Sequence, residues 1–122
     1  MARGWKLDPD DRAKLLKRFP PTWPEVIADH VTFEPGPSGS NAPVHDITGE
    51  VVGQADDGQG VQALVVSVGG TVDRPDGSTY HITWSIRREA GRNPVDSNAV
   101  IRRLGWRAVD RPISVRLIAA SL

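Results

Sequence analysis

Two short stretches of this 122-residue chain hold the side chains that acid–base chemistry uses: His30-Val31-Thr32-Phe33 and, fifty-one residues later, His81-Ile82-Thr83-Trp84. In each, a β-branched residue separates the histidine from the threonine and an aromatic residue comes next. Side chains alternate across a strand, so residues two apart share a face at roughly 6.5–7 Å. His30 and Thr32 then point away from Val31 and Phe33, and His81, Thr83 and Ser85 point away from Tyr80, Ile82, Trp84 and Ile86. The apolar faces belong to the core, and the polar faces are either wet or gathered into a concave site. With six threonines in the chain, composition alone rarely sets threonine two places after two of three histidines.

Hydrolysis of a phosphodiester needs a base for the attacking water, an acid for the leaving oxygen, and donors for the non-bridging oxygens. Two histidines and two threonine hydroxyls supply that list. An imidazole titrates at about 6.5 when unperturbed, so near neutral pH one can be neutral while the other is protonated. A hydroxyl two residues along the same strand is held at a fixed offset, as an oxygen-binding donor must be. Arg87 continues the parity of His81 if the strand runs that far, and is a further candidate phosphate ligand. Tyr80 and Trp23 are candidates for stacking on a base. Arg88 and Arg92 read as solvated. His45 beside Asp46 reads as a surface histidine, since neighbours on a strand point to opposite faces. A metal site would need His30, His45 and His81 to converge with a carboxylate, and hydroxyls at the second position suit a phosphate better than zinc. No metal or cofactor is expected.

The elements that must position these residues can be read from the rest of the chain. Asp8, Pro9, the acids after them and Lys17 and Arg18 mark a helix over residues 8–19. Thr22 and Glu25 have capping-box spacing, which predicts a second short helix ending by Ala28. Strands are expected at "HVTF", on both sides of a turn at "DDGQG", around a turn at "RPDGS", and at "ISVRLIAASL". "DSNAVIRRLGW" reads as a helix capped by Asp96 or Ser97 and ended by Gly105. The prolines, glycines and serines of 35–43 predict a surface loop, either a lid or a connector. The order α, α, β, β, β, β, α, β gives an α+β fold with a mostly antiparallel sheet, in one domain over residues 1–122.

Composition narrows the function classes. The absence of cysteine removes disulfides and thiol nucleophiles and suits a reducing compartment, and no apolar stretch is long enough to span a bilayer, so a cytoplasmic protein without a membrane partner is expected. Fifteen basic side chains balance fifteen acidic ones, which argues against coating long nucleic acid by counterion release and leaves a small or terminal anion open. Between 87 and 116 eight arginines stand against Glu89, Asp96 and Asp110, forming either a local positive field or a solvated surface.

The two H-x-T-hydrophobic motifs resemble the signature of the 2H phosphoesterase superfamily, which includes RNA 2′,3′-cyclic phosphodiesterases and the cyclic phosphodiesterase domains of plant and fungal tRNA ligases. The stretch "SIRREAGRNPVDSNAVI" is also similar in character to the segment after the second motif in the ligase domains. The resemblance implies a pseudo-symmetric α+β sheet with both motifs in one groove, and metal-independent chemistry with His30 and His81 as acid and base and Thr32 and Thr83 as phosphate ligands. The fifty-one-residue spacing is shorter than in full-length members, so one lobe is expected to be trimmed. The implied substrate is a 2′,3′-cyclic phosphate on RNA ends or nucleotides. Cleavage of another small phosphodiester, such as a cyclic oligonucleotide or a 2′,5′ linkage, uses the same four side chains. A nucleotide- or RNA-end-binding module without turnover is the alternative from a different class.

Overall fold

The computed structural model describes residues 3–34 and 44–122, and the expected loop at 35–43 lies outside them. Seven strands, β1 (Arg3–Leu7), β2 (Glu25–Val26), β3 (His30–Glu34), β4 (Ile47–Asp56), β5 (Val61–Ser67), β6 (His81–Ile86) and β7 (Arg107–Ser121), join two helices, α1 (Pro9–Arg18) and α2 (Asp96–Leu104). The strands form one antiparallel sheet in the order β2-β6-β5-β4-β7-β1-β3, curled into a half-barrel. The fold is α+β, as the element pattern predicts.

Helix α1 forms for the local reasons given by its sequence. The Asp8 carboxylate accepts the Asp11 amide at 3.0 Å, Pro9 opens the first turn, and Leu15 is buried beneath it. Arg116 of β7 reaches both Asp8 and Asp11, at 2.9 and 3.1 Å, and ties the helix start to the sheet.

The expected helix at 22–28 is not formed; residues 22–24 bend and Glu25–Val26 form β2. The segment's amides are held from a distance. Gln62, 4% exposed, accepts the Thr22 amide at 2.9 Å, and Ser85 Oγ accepts the Trp23 amide at 3.1 Å while donating to Gln62 Oε1 at 2.6 Å. The Thr22 amide, one of the two donors a capping box would have used, is taken by Gln62, and Glu25 is paired with Ile86 in the sheet, so tertiary contacts override the local signal. Strand β1, which the sequence did not announce, pairs with β3 and β7. Around "RPDGS" the turn forms, with Arg74 N–H bonded to the Ser78 carbonyl at 2.7 Å, but it carries only isolated bridges, Val68↔Thr71 and Asp73↔Thr79. Helix α2 starts after Val95, without a side-chain cap, and stops at Gly105, whose φ of 71° suits glycine.

Strand β5 is buried on both faces, which explains the apolar residues that follow Gln62 in it. Leu64 and Val66 join Trp5, Leu15, Val31, Val51, Ile82, Trp84, Val115 and Leu117 in one cluster. Ala63 and Val65 join Ala55, Val100 and Ile101 in a second, under α2. Gly53 in β4 lets the Trp106 ring lie on the backbone: a Cβ there would fall 2.1 Å from Cε3 of that ring.

Strands β2 and β3 sit at opposite edges of the sheet, yet only residues 27–29 separate them in the chain. Ile27 and Ala28 amides bond to the Trp84 and Thr83 carbonyls of β6, at 2.9 and 3.0 Å, and the Asp29 carbonyl then accepts the Leu7 amide of β1 at 3.2 Å. Three residues thus bridge the two edges and force the curl. The turn is made at buried Ala28, whose φ of 42° is unusual for a residue with a Cβ and whose carbonyl is held by Arg12 Nε at 2.7 Å. This crossing carries His30 from the neighbourhood of β6 directly onto β3.

Candidate functional site

The faces divide as strand parity predicts. Tyr80, Ile82, Trp84 and Ile86 are all buried, and His81 and Thr83 occupy the other face of β6, opposite Val65 and Ala63. On β3, Val31 is fully buried and Phe33 packs edge-on to Trp5 at 5.6 Å, which leaves His30 and Thr32 on the second face. Thr32 pairs with Gly4, where a Cβ would fall 2.2 Å from the Val31 carbonyl, so glycine allows β1 to approach this close. The two motif strands are not equivalent: β6 lies between β2 and β5, whereas β3 is an edge strand.

His30, Thr32, His81 and Thr83 line one groove of about 510 Å³. The turn before β6 adds Arg74, Asp76 and Ser78 to its wall, and the entry and first turns of α2 add Pro94, Val95, Asn98 and Arg102. Among the described residues no group of three or more His, Asp or Glu side chains is placed to hold a metal ion.

The two histidines live in different environments. His81 is 8% exposed, and its Nδ1 lies 2.8 Å from the Thr79 carbonyl, which can only accept, so Nδ1 carries a proton. Its Nε2 lies 2.9 Å from the hydroxyl of Ser97, a fully buried residue of α2. Burial pushes the imidazole down to about 4; the Thr79 carbonyl opposes this, and the positive charges of Arg74 and His30 add to it. At neutral pH His81 is therefore a neutral ring with a lone pair on Nε2. Ser97 Oγ also lies 2.7 Å from Thr83 Oγ and 2.8 Å from the Pro94 carbonyl, and the Pro94 carbonyl accepts from Thr83 at 3.0 Å. The group that touches both members of the second pair here is thus a serine hydroxyl of the protein itself.

His30 keeps about a third of its side chain exposed, and its Nδ1 lies 3.1 Å from Asp29 Oδ2. The same carboxylate oxygen accepts from Lys6 Nζ at 2.5 Å. Partial burial would raise the Asp29 carboxyl, but the hydrogen bonds from Lys6 and His30 outweigh it and hold it below the usual carboxylate range. Nε2 is then the ring nitrogen of His30 left to meet a ligand. The neighbouring His–Asp pair of the chain is this one, not His45–Asp46. Parity does not forbid it, because Asp29 precedes the strand and its side chain is not bound to alternate. His45 is exposed, its carbonyl accepting from Trp5 Nε1, and Asp46 accepts the Ala119 amide.

Three other expectations are corrected. Strand β6 ends at Ile86, so Arg87 leaves the face of His81; it pairs with Glu89 at 3.0 Å and does not line the groove. Tyr80 is 4% exposed and packs against Trp5 at 6.1 Å in the core, out of reach of a base. Trp23 is half-buried away from the groove, its indole N–H directed to Asp56 at 3.3 Å. The arginine-rich stretch after β6 is largely consumed by ion pairs, Arg88 with Glu25 at 2.6 Å and Arg92 with Asp57 at 2.5 Å.

The groove's buried cation is Arg74, which the sequence offered only as part of a turn. It is 6% exposed, and its Nε and Nη2 donate to Ser78 Oγ at 2.6 Å and Asn98 Oδ1 at 2.8 Å. A signal for it existed: a hairpin turning at Pro75–Gly77 must bring the residue before the turn back beside the strand that carries His81. Comparison with protein-family models, with characterised proteins and with solved structures gives no match to this chain.

Proposed function

We propose that this chain is a cytoplasmic phosphodiesterase that opens a 2′,3′-cyclic phosphate on RNA ends or nucleotides. The observation that carries the reading is that two histidine–threonine pairs, fifty-one residues apart in sequence, line one groove together with a buried arginine. The differing surroundings of the histidines divide the proton work. His81, neutral and with its lone pair on Nε2, is the base; His30, its Nδ1–H on the Asp29 carboxylate, is the acid. Water attacks phosphorus and its proton passes to His81 Nε2. The bond to one ribose oxygen breaks, that oxygen takes the Nε2 proton of His30, and a phosphomonoester remains. Thr32 and Thr83 hydroxyls donate to the non-bridging oxygens. For this to happen the Ser97 hydroxyl must release Nε2, and the arriving phosphate offers it a replacement acceptor.

The Ser97 contact also favours a second reading, a nucleotide- or RNA-end-binding module in which His81 is a satisfied core histidine. Incubating the protein with a nucleoside 2′,3′-cyclic phosphate in excess chelator, beside His30→Ala and His81→Ala, separates the two. The enzyme reading expects turnover by the wild type and a loss on the order of 10²–10⁴ in each variant. Full activity in His81→Ala refutes the mechanism. Tight binding without product, across cyclic oligonucleotides and 2′,5′ linkages as well, establishes the module.

A further inference from the structure

We propose that Arg74 and Arg102 form a second anion subsite beside the two histidine–threonine pairs, one that takes a phosphate of the substrate other than the one that reacts. This rests on the phosphodiesterase reading for the identity of the substrate, but not for the existence of the subsite.

The first observation is how the fold treats its arginines. Arg88, Arg92 and Arg116, all more exposed than Arg74, each sit within 2.5–2.9 Å of a carboxylate. Arg74, the buried one, has only neutral partners at hydrogen-bond distance, Ser78 Oγ and Asn98 Oδ1. Its nearest carboxylate oxygen, on Asp76, is 3.9 Å away and is already engaged by the Ser78 amide and hydroxyl. Keeping a guanidinium out of water without a close counter-ion is costly, and burial already lowers its pKa. An anion arriving from the groove would supply the missing partner.

The second observation is Arg102. It lies four residues after Asn98, on the same face of α2 as the residue that holds Arg74. Among the described residues no carboxylate lies within ion-pair distance of it. It lines both the groove and an adjoining recess of about 130 Å³ whose walls include Ser78, Thr79, His81 and Asn98. The groove therefore continues past His81, toward the C-terminal half of α2.

The direction sets the ligand. Ser97 marks the reacting centre by its contact with His81, and Arg102 stands five residues further, about 7.5 Å along the helix axis. That is the reach of one sugar–phosphate unit. The anion that fits is the 5′-phosphate of the nucleotide carrying the cyclic phosphate, whether it ends the molecule as a monoester or links to the next nucleotide as a diester.

The test compares equilibrium binding, by calorimetry at one fixed salt concentration, of three probes: a nucleoside 2′,3′-cyclic phosphate, the same compound with a 5′-phosphate, and a dinucleotide ending in the cyclic phosphate. The wild type is expected to prefer the second or third probe over the first by about tenfold or more, the worth of one charge-assisted contact. In Arg102→Gln, a change at an exposed position that leaves the core untouched, that ratio is expected to fall to about two or less. Equal affinity for the three probes in the wild type, no binding of any of them, or a ratio unchanged in Arg102→Gln overturns the proposal. A preference for the 5′-monoester alone identifies a mononucleotide ligand, and a preference shared by the dinucleotide an RNA end. Preference without turnover removes the phosphodiesterase reading and leaves the subsite standing.

Discussion

Acid should destabilise this protein through His81 at a higher pH than through the carboxyls that their partners hold low. In the unfolded chain the ring titrates near 6.5, and in the folded chain burial pushes it down to about 4. A depressed folded pKa means that the unfolded state binds the extra proton first. The contribution of His81 is thus intact above about pH 6.5, falls by about 1.4 kcal/mol per pH unit below it, and stops falling near pH 4. Two and a half units give a total of about 3 kcal/mol, and the side chain is buried enough for this not to be screened away. The carboxyls held low by their partners, Asp11, Asp29 and Asp76, lose their contributions only at lower pH. Urea unfolding of wild type and His81→Gln at half-unit steps from pH 7.5 to 4 isolates the effect, since glutamine does not titrate. The stability difference between the two proteins should shrink by about 3 kcal/mol over that range in the disfavour of the wild type. Curves that stay parallel would show that His81 is charged or solvent-reached in the folded state, and would remove the neutral base from the proposed mechanism.

Two further changes probe the groove and the segment at residues 20–26. Thr32→Val keeps shape and removes a hydroxyl; on the proposed mechanism kcat drops by about 10²–10³ with thermal stability little changed, and unchanged kcat would strike Thr32 from the phosphate-binding set. Gln62→Ala leaves Thr22 N–H, Ser85 Oγ and the Pro20 carbonyl without their buried partner, and should cost about 2–4 kcal/mol with faster amide exchange at Thr22. Retained protection at Thr22 would mean that residues 20–26 are kept out of a helix for some other reason.

How much of this was legible in the sequence depends on how far away the deciding atoms lie. Helix α1 is written within one turn of itself, in Asp8, Pro9 and the last-turn cations, and it forms as read. The inward and outward division of the two H-x-T strands needs only period-two alternation and also holds. The false helix at 22–28 shows the limit: its capping box is sound locally, but Gln62, forty residues away, takes the Thr22 amide, and Glu25 is paired with Ile86 of β6. Strand β1 is five residues containing Arg3 and Lys6 and has no apolar run of its own; its pairing between β7 and β3 makes it a strand. At the site, sequence parity finds the four motif residues but cannot find what they touch. Asp29 and Ser97 each carry an adequate local explanation, as a strand-end acid and a candidate helix cap, and their contacts with the motif histidines arise only in the folded sheet, whereas Arg74 is announced only by the hairpin that returns it beside β6.

That curl also explains why the two pairs, alike in sequence, are unlike in chemistry. His81 is paired with Val65 of β5 and has Ser97 of α2 against its ring, so it is dry, neutral and fixed by a backbone carbonyl. His30 belongs to an edge strand reached across the 27–29 crossing, so it stays partly wet and is backed by Asp29 and, through it, Lys6. A symmetric pair of imidazoles would have to divide the acid and base roles by chance of protonation at each encounter. On the proposed mechanism the division follows position in the sheet, and it makes a directional claim: loss of the Asp29 carboxylate should impair protonation of the leaving oxygen, whereas loss of the Ser97 hydroxyl should act on the base. Asp29→Asn is therefore expected to slow a substrate with a poor leaving group more than an activated aryl phosphodiester whose leaving group needs no proton. Ser97→Ala should affect both substrates alike. Equal loss on both substrates in Asp29→Asn would reverse the assignment of His30.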